Sequence, residues 1–323
     1  MSNTPSVTKS PAEESPEFRD NFSLQHLKSV KSETAYYYNN RFIGKGGNGT
    51  AFLVTCSSGS NQGMQFVLKV FHKMSNPSRL LAFLKEIKHL KALNHPAIIR
   101  VFDEGKYLSF DKIEYPFVII EYIPKTCRTL IATQALDRLS AIRIAMNCMS
   151  ALNAIHTLSS PLIHRDIKPE NILISDAGAK LADFGLIKVI DGTHADDDDV
   201  DPLTGTQWPG MPYRYRTPEL VSRAINRKHP ITTASDIYQF GTVLYEMLSG
   251  QNPQIQPDKV TDPIKLVTKP IIGSEGDKLS ELVGLMLHDD PAKRPTAYQC
   301  LQKLNHIHRN LCTAITAVTG HHV

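Results

Sequence analysis

Apolar and polar positions alternate differently in the two halves of this chain, and the elements follow from that difference. Residues 1 to about 30 are rich in Ser, Thr, Pro, Glu and Lys and carry few apolar side chains. Such a stretch buries too little surface to offset its ordering entropy, so residues 1–30 read as a flexible tail. From Tyr36 the pattern turns strand-like: aromatic and β-branched residues at 36–43, then 51–55, then 65–71. Residues 78–93 place Leu80, Leu81, Leu84, Ile87, Leu90 and Leu93 at helical spacing, and His95-Pro96 stops that helix. Residues 98–102 and 117–120 predict two more strands. A long amphipathic helix follows over 137–158, with Asp137 as its cap and Met146 and Met149 as core. Two brief apolar runs flank a turn at 176–178 and predict a hairpin. Residues 186–218 carry many Asp, Gly and Pro and read as a loop, 297–312 as a terminal helix, and 313–323 as a frayed end.

Composition narrows the class. The chain has 323 residues, 41% hydrophobic and 21% charged, which is ordinary for a folded globular protein. A net charge of +4 is too mild to argue for nucleic acid. The five cysteines form no CxxC pair and are odd in number, which favours reduced thiols and a cytoplasmic setting. No apolar run approaches the ~20 residues of a membrane helix. The N-terminus shows no signal pattern. His321 and His322 are two ligands at most, too few for a metal site.

The chemistry concentrates in 164–185, HRDIKPENILISDAGAKLADFG. A hairpin with polar residues at both ends brings Asp166, Asn171 and Asp183 to one side. Two carboxylates and an amide are hard oxygen ligands that suit Mg²⁺. Upstream, Gly44, Lys45, Gly46, Gly47, Asn48 and Gly49 form a GxGxxG run between two strands, where backbone amides can approach phosphates. Lys69 stands inside an apolar strand and needs a partner for its charge.

Together these residues resemble the eukaryotic-type serine/threonine protein kinases. The resemblance implies an α+β, bilobal fold with a small antiparallel sheet lobe and a larger helical lobe. It places the N-lobe at about 36–120, the hinge at about 121–124 and the C-lobe at about 125–312. It implies ATP and Mg²⁺ as cofactors and a protein hydroxyl as acceptor, with no nucleic-acid or membrane partner and no statement of oligomeric state. Asp166 would orient the substrate hydroxyl, Lys168 the transferring group, and Asn171 and Asp183 the metal. Lys69, paired with Glu86, would hold the α- and β-phosphates. Ala51, Val67, Ile120, Glu121, Ile123 and Leu173 would surround the adenine, with the backbone of 121–123 on its edge. Glu219 and Arg294 would form a buried ion pair, and Asp236 would order the catalytic-loop backbone. Arg165 and Phe184 would serve structure and regulation, with Thr193, Thr204 and Thr206 as candidate phosphosites.

Four departures from the family pattern matter. Ala51 stands where Val is usual and Val67 where Ala is usual, a swap that nearly conserves volume. Thr217 replaces the Ala of Ala-Pro-Glu. Pro212 falls where a substrate-lining Thr is expected, which leaves the peptide preference open. The acidic run 196–199 would stand in for a phosphate against Arg165 or the basic set Arg214, Arg216, Arg223, Arg227 and Lys228, or else is a solvated loop. A nucleotide-binding pseudokinase or scaffold stays open as the alternative reading.

Overall fold

The computed structural model describes residues 22–46, 49–183, 188–189, 213–226, 228–259 and 261–319. The chain divides into two compact units. One takes Met1–Leu80 and Asp103–Ile119, the other Leu81–Phe102 and Ile120–Val323.

The first unit is built on a six-stranded sheet with strands β1 (Ser29–Lys31), β2 (Tyr36–Lys45), β3 (Gly49–Cys56), β4 (Gln65–Phe71), β5 (Val101–Leu108) and β6 (Glu114–Glu121). Its order is β1-β2-β3-β4-β6-β5. β3 and β4 pair without interruption from Gly49↔Phe71 to Thr55↔Gln65. β2 and β3 shift register twice, between Asn39 and Arg41 and between Phe42 and Gly44, so the strand bends as it enters the glycine run. Tyr37, Val54, Phe66, Leu68 and Val70 are buried as the strand alternation requires.

The expected tail ends earlier than residue 30. Phe22 and Leu24 are buried, and the Phe22 ring meets those of Tyr115, Tyr107 and Phe52 at 5.0, 5.4 and 6.0 Å. Asn39 donates from Nδ2 to the Leu24 and Gln25 carbonyls, which fastens this segment to β2. One aromatic side chain in a polar stretch carries no periodicity, so sequence pattern misses it. The strand expected at 117–120 forms within β6, whereas the one expected at 98–102 is displaced. β5 starts at Val101, while Ile98 instead makes a single bridge to Leu181.

The second unit is mainly helical. Its helices are α1 (Pro77–Ala92, which begins in the first unit), α2 (Cys127–Ala132), α3 (Arg138–His156), α4 (Pro218–Ile225), α5 (Ala234–Ser249), α6 (Gly276–Met286) and α7 (Ala297–Thr319). Short strands β7 (Lys125–Thr126), β9 (Ile172–Ser175) and β10 (Gly178–Leu181) form one small sheet, and β8 (Leu162–Ile163) pairs with β11 (Lys188–Val189). Asp137 caps α3 by accepting from the Ser140 N–H at 2.8 Å. Ala141, Ala145, Cys148, Leu152 and Ile155 of α3 are fully buried. α5 is buried on nearly every side, and Gly241 lets α6 approach, since a Cβ there would sit 2.8 Å from Met286 Cβ. Leu90, Ala97, Ile98 and Ile99 join this core, so segment 81–102 goes with the helical unit and not with the sheet.

Two expectations on helices change. α1 buries Phe83, Ile87 and Leu90, while Leu81 and Leu84 are exposed, because the buried stripe is rotated from the one the leucines suggest. α7 runs to Thr319, so 313–319 are helical and not frayed; Leu311 extends the stripe of Cys300, Leu304 and Ile307. Among the described residues no helix is long and apolar enough to cross a membrane.

Candidate active site

The loop after β8 is held by α5. Asp236 is fully buried and accepts from the backbone N–H groups of His164 and Arg165, each at 2.8 Å. His156 Nε2 lies 2.8 Å from the same carboxylate. One helical turn later, Gln239 accepts from the Ile167 N–H at 3.0 Å and donates to the Arg165 carbonyl at 3.0 Å. Arg165 has φ +68, a left-handed conformation that a residue other than glycine adopts at a cost its surroundings must offset. Asp236 and Gln239 grip both its peptide groups. Gln239 is a positioning residue the sequence reading passed over; its spacing of three from Asp236 was the available signal.

That backbone presents three polar side chains together. Asp166 accepts from Lys168 Nζ at 2.8 and 3.0 Å and from Asn171 Nδ2 at 2.8 Å. Asn171 Nδ2 also donates to the Asp166 carbonyl at 2.8 Å. Both partners of that nitrogen are acceptors, so Asn171 Oδ1 is turned away from them and keeps its lone pairs for another group. His164 donates from Nε2 to the Ala182 carbonyl at 3.1 Å and accepts the Asp166 N–H at Nδ1. Burial lowers the His164 pKa, against the upward pull of Asp236, Asp166 and Asp183. The imidazole is thus a neutral spacer between the loop and the strand that follows.

The hairpin forms as the sequence predicts. Ile172 lies opposite Leu181, and Ser175 opposite Gly178. The Ala182 N–H donates to the Asn171 carbonyl at 2.9 Å, which brings the two ends of the hairpin side by side. Asp183 follows at once, exposed, with φ +58. Asn171 Oδ1 and the Asp183 carboxylate are oxygen donors of the kind Mg²⁺ takes. Among the described residues no cluster of three or more His, Cys, Asp or Glu could hold a metal.

The glycine run and Lys69 belong to the sheet unit. The Gly46 N–H donates to the Gly49 carbonyl at 2.8 Å and closes the glycine hairpin. Gly44 lies opposite Ala51, Ala51 opposite Lys69, and Leu53 opposite Val67. Ala51, Val67 and Lys69 are therefore on one face of the ladder and are half-buried there.

A protein kinase domain model matches residues 37–304. The chain belongs to the protein kinase family. A probable serine/threonine-protein kinase of Dictyostelium discoideum is 30% identical over 82% of the chain. The serine/threonine-protein kinase PknB of Mycobacterium leprae is 34% identical over 58%, and cds1 of Schizosaccharomyces pombe 29% over 84%. The chain spans 15%, 28% and 59% of the length of these three relatives.

Elsewhere in the kinase, Arg294 and Glu219 form a two-point ion pair at 2.6 and 3.1 Å with both side chains buried. Arg294 also donates to the carbonyls of His288, Asp289 and Ala234 and lies over the Tyr238 ring. Thr217 is fully buried and caps α4 by accepting the Leu220 N–H, a concrete use for the hydroxyl that replaces Ala. Near the loop after β8, Arg128 joins Glu170 and Glu246, each at 2.7 Å, and Tyr215, whose hydroxyl donates to Glu246. Burial, then the Glu246 carboxylate, raises the Tyr215 pKa. Sequence spacing cannot reveal this cluster, since its members are drawn from four separate elements.

Ile120, Ile123 and Leu173 pack at the margin of the helical core. The Glu121 carboxylate is engaged by Lys180 Nζ at 2.8 Å and by the Arg100 N–H at 2.7 Å, and the Glu121 N–H donates to the Arg100 carbonyl at 3.1 Å. The basic set needs correction. Arg216 and Arg223 are buried and donate to the carbonyls of Asp262 and His229, so neither belongs to a surface patch. Arg214 and Lys228 are exposed. Gly47, Asn48, Phe184, Thr193, Thr204, Thr206, the acidic run 196–199, Pro212, Arg227 and the Glu86 side chain lie outside the described residues.

Proposed function

We propose that this chain is a Mg-ATP-dependent serine/threonine protein kinase that transfers the γ-phosphoryl group to a protein hydroxyl and phosphorylates itself. The observation that carries this reading is the buried Asp166 carboxylate, held by Lys168 and Asn171 on a backbone clamped by Asp236 and Gln239.

Phosphoryl transfer asks a protein chiefly for positioning and charge neutralisation. The backbone amides of Gly44–Gly49 and Lys69 serve the phosphates, with Glu86 as the partner of Lys69. Ala51, Val67, Leu173, Ile120 and the backbone of Glu121 and Ile123 serve the adenine. Asn171 Oδ1 and Asp183 hold Mg²⁺, which when bound neutralises charge on the phosphate oxygens. Asp166 accepts the hydrogen bond of the acceptor hydroxyl and aligns its oxygen for attack. Lys168, already beside Asp166, balances charge on the group in transit. Lysine two residues after the catalytic Asp favours Ser and Thr over Tyr as acceptor. A cytoplasmic site of action is consistent with five free thiols.

The test is phosphorylation of the chain itself and of casein with Mg-ATP, wild type against Asp166→Asn, with sites mapped by mass spectrometry. We expect phosphoserine and phosphothreonine in the wild type and a fall of about 10²–10⁴-fold in the variant. Nucleotide binding with no turnover in the wild type would support the pseudokinase instead.

A further inference from the structure

Side chains on the β3–β4 ladder alternate between two faces. Ala51, Val67 and Lys69 share one face. The opposite face carries Phe52, Val54, Leu68 and Val70, all buried. Two polar side chains interrupt this apolar face at its end. Thr50 is 2% exposed and His72, one residue beyond β4, is 1% exposed. Thr50 lies opposite Val70, which puts His72 on its diagonal, and Thr50 Oγ1 is 3.0 Å from His72 Nδ1. Their contact offsets part of the cost of burying a hydroxyl and an imidazole among valine, leucine and phenylalanine.

The place of this contact is informative. Thr50 is the first residue after the glycine hairpin, and His72 is three residues beyond Lys69. The neighbouring Gly49 is pressed onto β4, for a Cβ there would be 2.7 Å from the Val70 carbonyl oxygen. The return leg of the hairpin is therefore fixed to the Lys69 strand twice, by backbone contact at Gly49 and by side chains at Thr50.

We propose that Thr50 and His72 are positioning residues for the nucleotide phosphates. Their hydrogen bond holds the hairpin amides and Lys69 in one register while touching no ligand itself. This rests on the reading that the hairpin and Lys69 bind the ATP phosphates.

Steady-state kinetics on the full chain with ATP varied and casein as acceptor test it, using Thr50→Val and His72→Leu to remove the bond and Thr50→Ser and His72→Asn to keep it. KM for ATP should rise about three- to tenfold in the first pair, with kcat falling less than about twofold. Serine and asparagine should restore KM to within about twofold of wild type. The double variant Thr50→Val/His72→Leu should be no worse than His72→Leu alone, since the bond between the two side chains is already lost there. Unchanged KM in Thr50→Val, or kcat falling as KM stays constant, overturns the proposal, as does a lowered melting temperature with wild-type KM. If His72→Leu does not fold, the nearly isosteric Thr50→Val and its serine counterpart decide alone. Displacement of a fluorescent ATP analogue separates the two levels. A wild type that binds no Mg-ATP overturns the nucleotide reading beneath, whereas a wild type that binds no better than Thr50→Val overturns the pair.

Discussion

Single side chains in this kinase take their roles from which of their atoms are already engaged. Asn171 directs its amide nitrogen to both the carbonyl and the carboxylate of Asp166, which points its oxygen away from them. Glu121 has its carboxylate held by Lys180 and the Arg100 N–H, and its own N–H by the Arg100 carbonyl. The exchange at Ala51 and Val67 works at the same scale. Both lie on one face of adjoining strands, one diagonal apart, so the larger residue can fill what the smaller one vacates. Val67→Ala should open a gap beside the adenine and weaken ATP binding about three- to tenfold in a calorimetric titration. Unchanged affinity would show that the two positions do not compensate each other.

Elements are joined by a few buried polar contacts whose loss should be large. Glu219 begins α4, and Arg294 comes from the turn before α7. Their ion pair is shielded from solvent, and Ser235 and three carbonyls satisfy the remaining atoms. Arg294→Leu strands the Glu219 charge and should cost about 3–5 kcal/mol in urea denaturation, whereas removing both partners should cost less than that single change. The cap of α3 is milder: Asp137→Ala should cost about 1 kcal/mol. At the other end of the chain, Phe22 fastens the first described residues to the sheet through three rings. Phe22→Ala should destabilise by about 3 kcal/mol, and a shift in denaturation midpoint near zero would return this segment to the status of a tail.

For the molecule as a whole, pH is the most direct probe. Burial lowers the pKa of His164, His95 and His89 from 6.5, with Lys88 and Lys85 adding to the effect at His89. The unfolded chain therefore takes up protons at these sites before the folded one does. Their contribution to stability is complete above about pH 6.5 and declines as pH falls below it, towards their folded values. Denaturation midpoints should drop on the acid side, and His164→Asn should flatten that drop; an unaltered profile in the variant would show that His164 is not among the groups responsible. Local pattern determined the glycine hairpin, the helix cap at Asp137 and the hairpin from Ile172 to Leu181, because near neighbours and turn residues decide those. It also marked Asp166, Lys168, Asn171 and Asp183, whose spacing along the chain is itself the signature. Tertiary structure alone decided the rest: the wedge of Phe22, the grip of Gln239 on the loop, the Arg128 cluster, and the burial of Arg216 and Arg223. Apart from Arg223, which meets the His229 carbonyl six positions on, those depend on atoms tens to more than a hundred positions apart, and a one-dimensional pattern carries no record of which distant atoms will meet to satisfy a buried charge or fill a cavity.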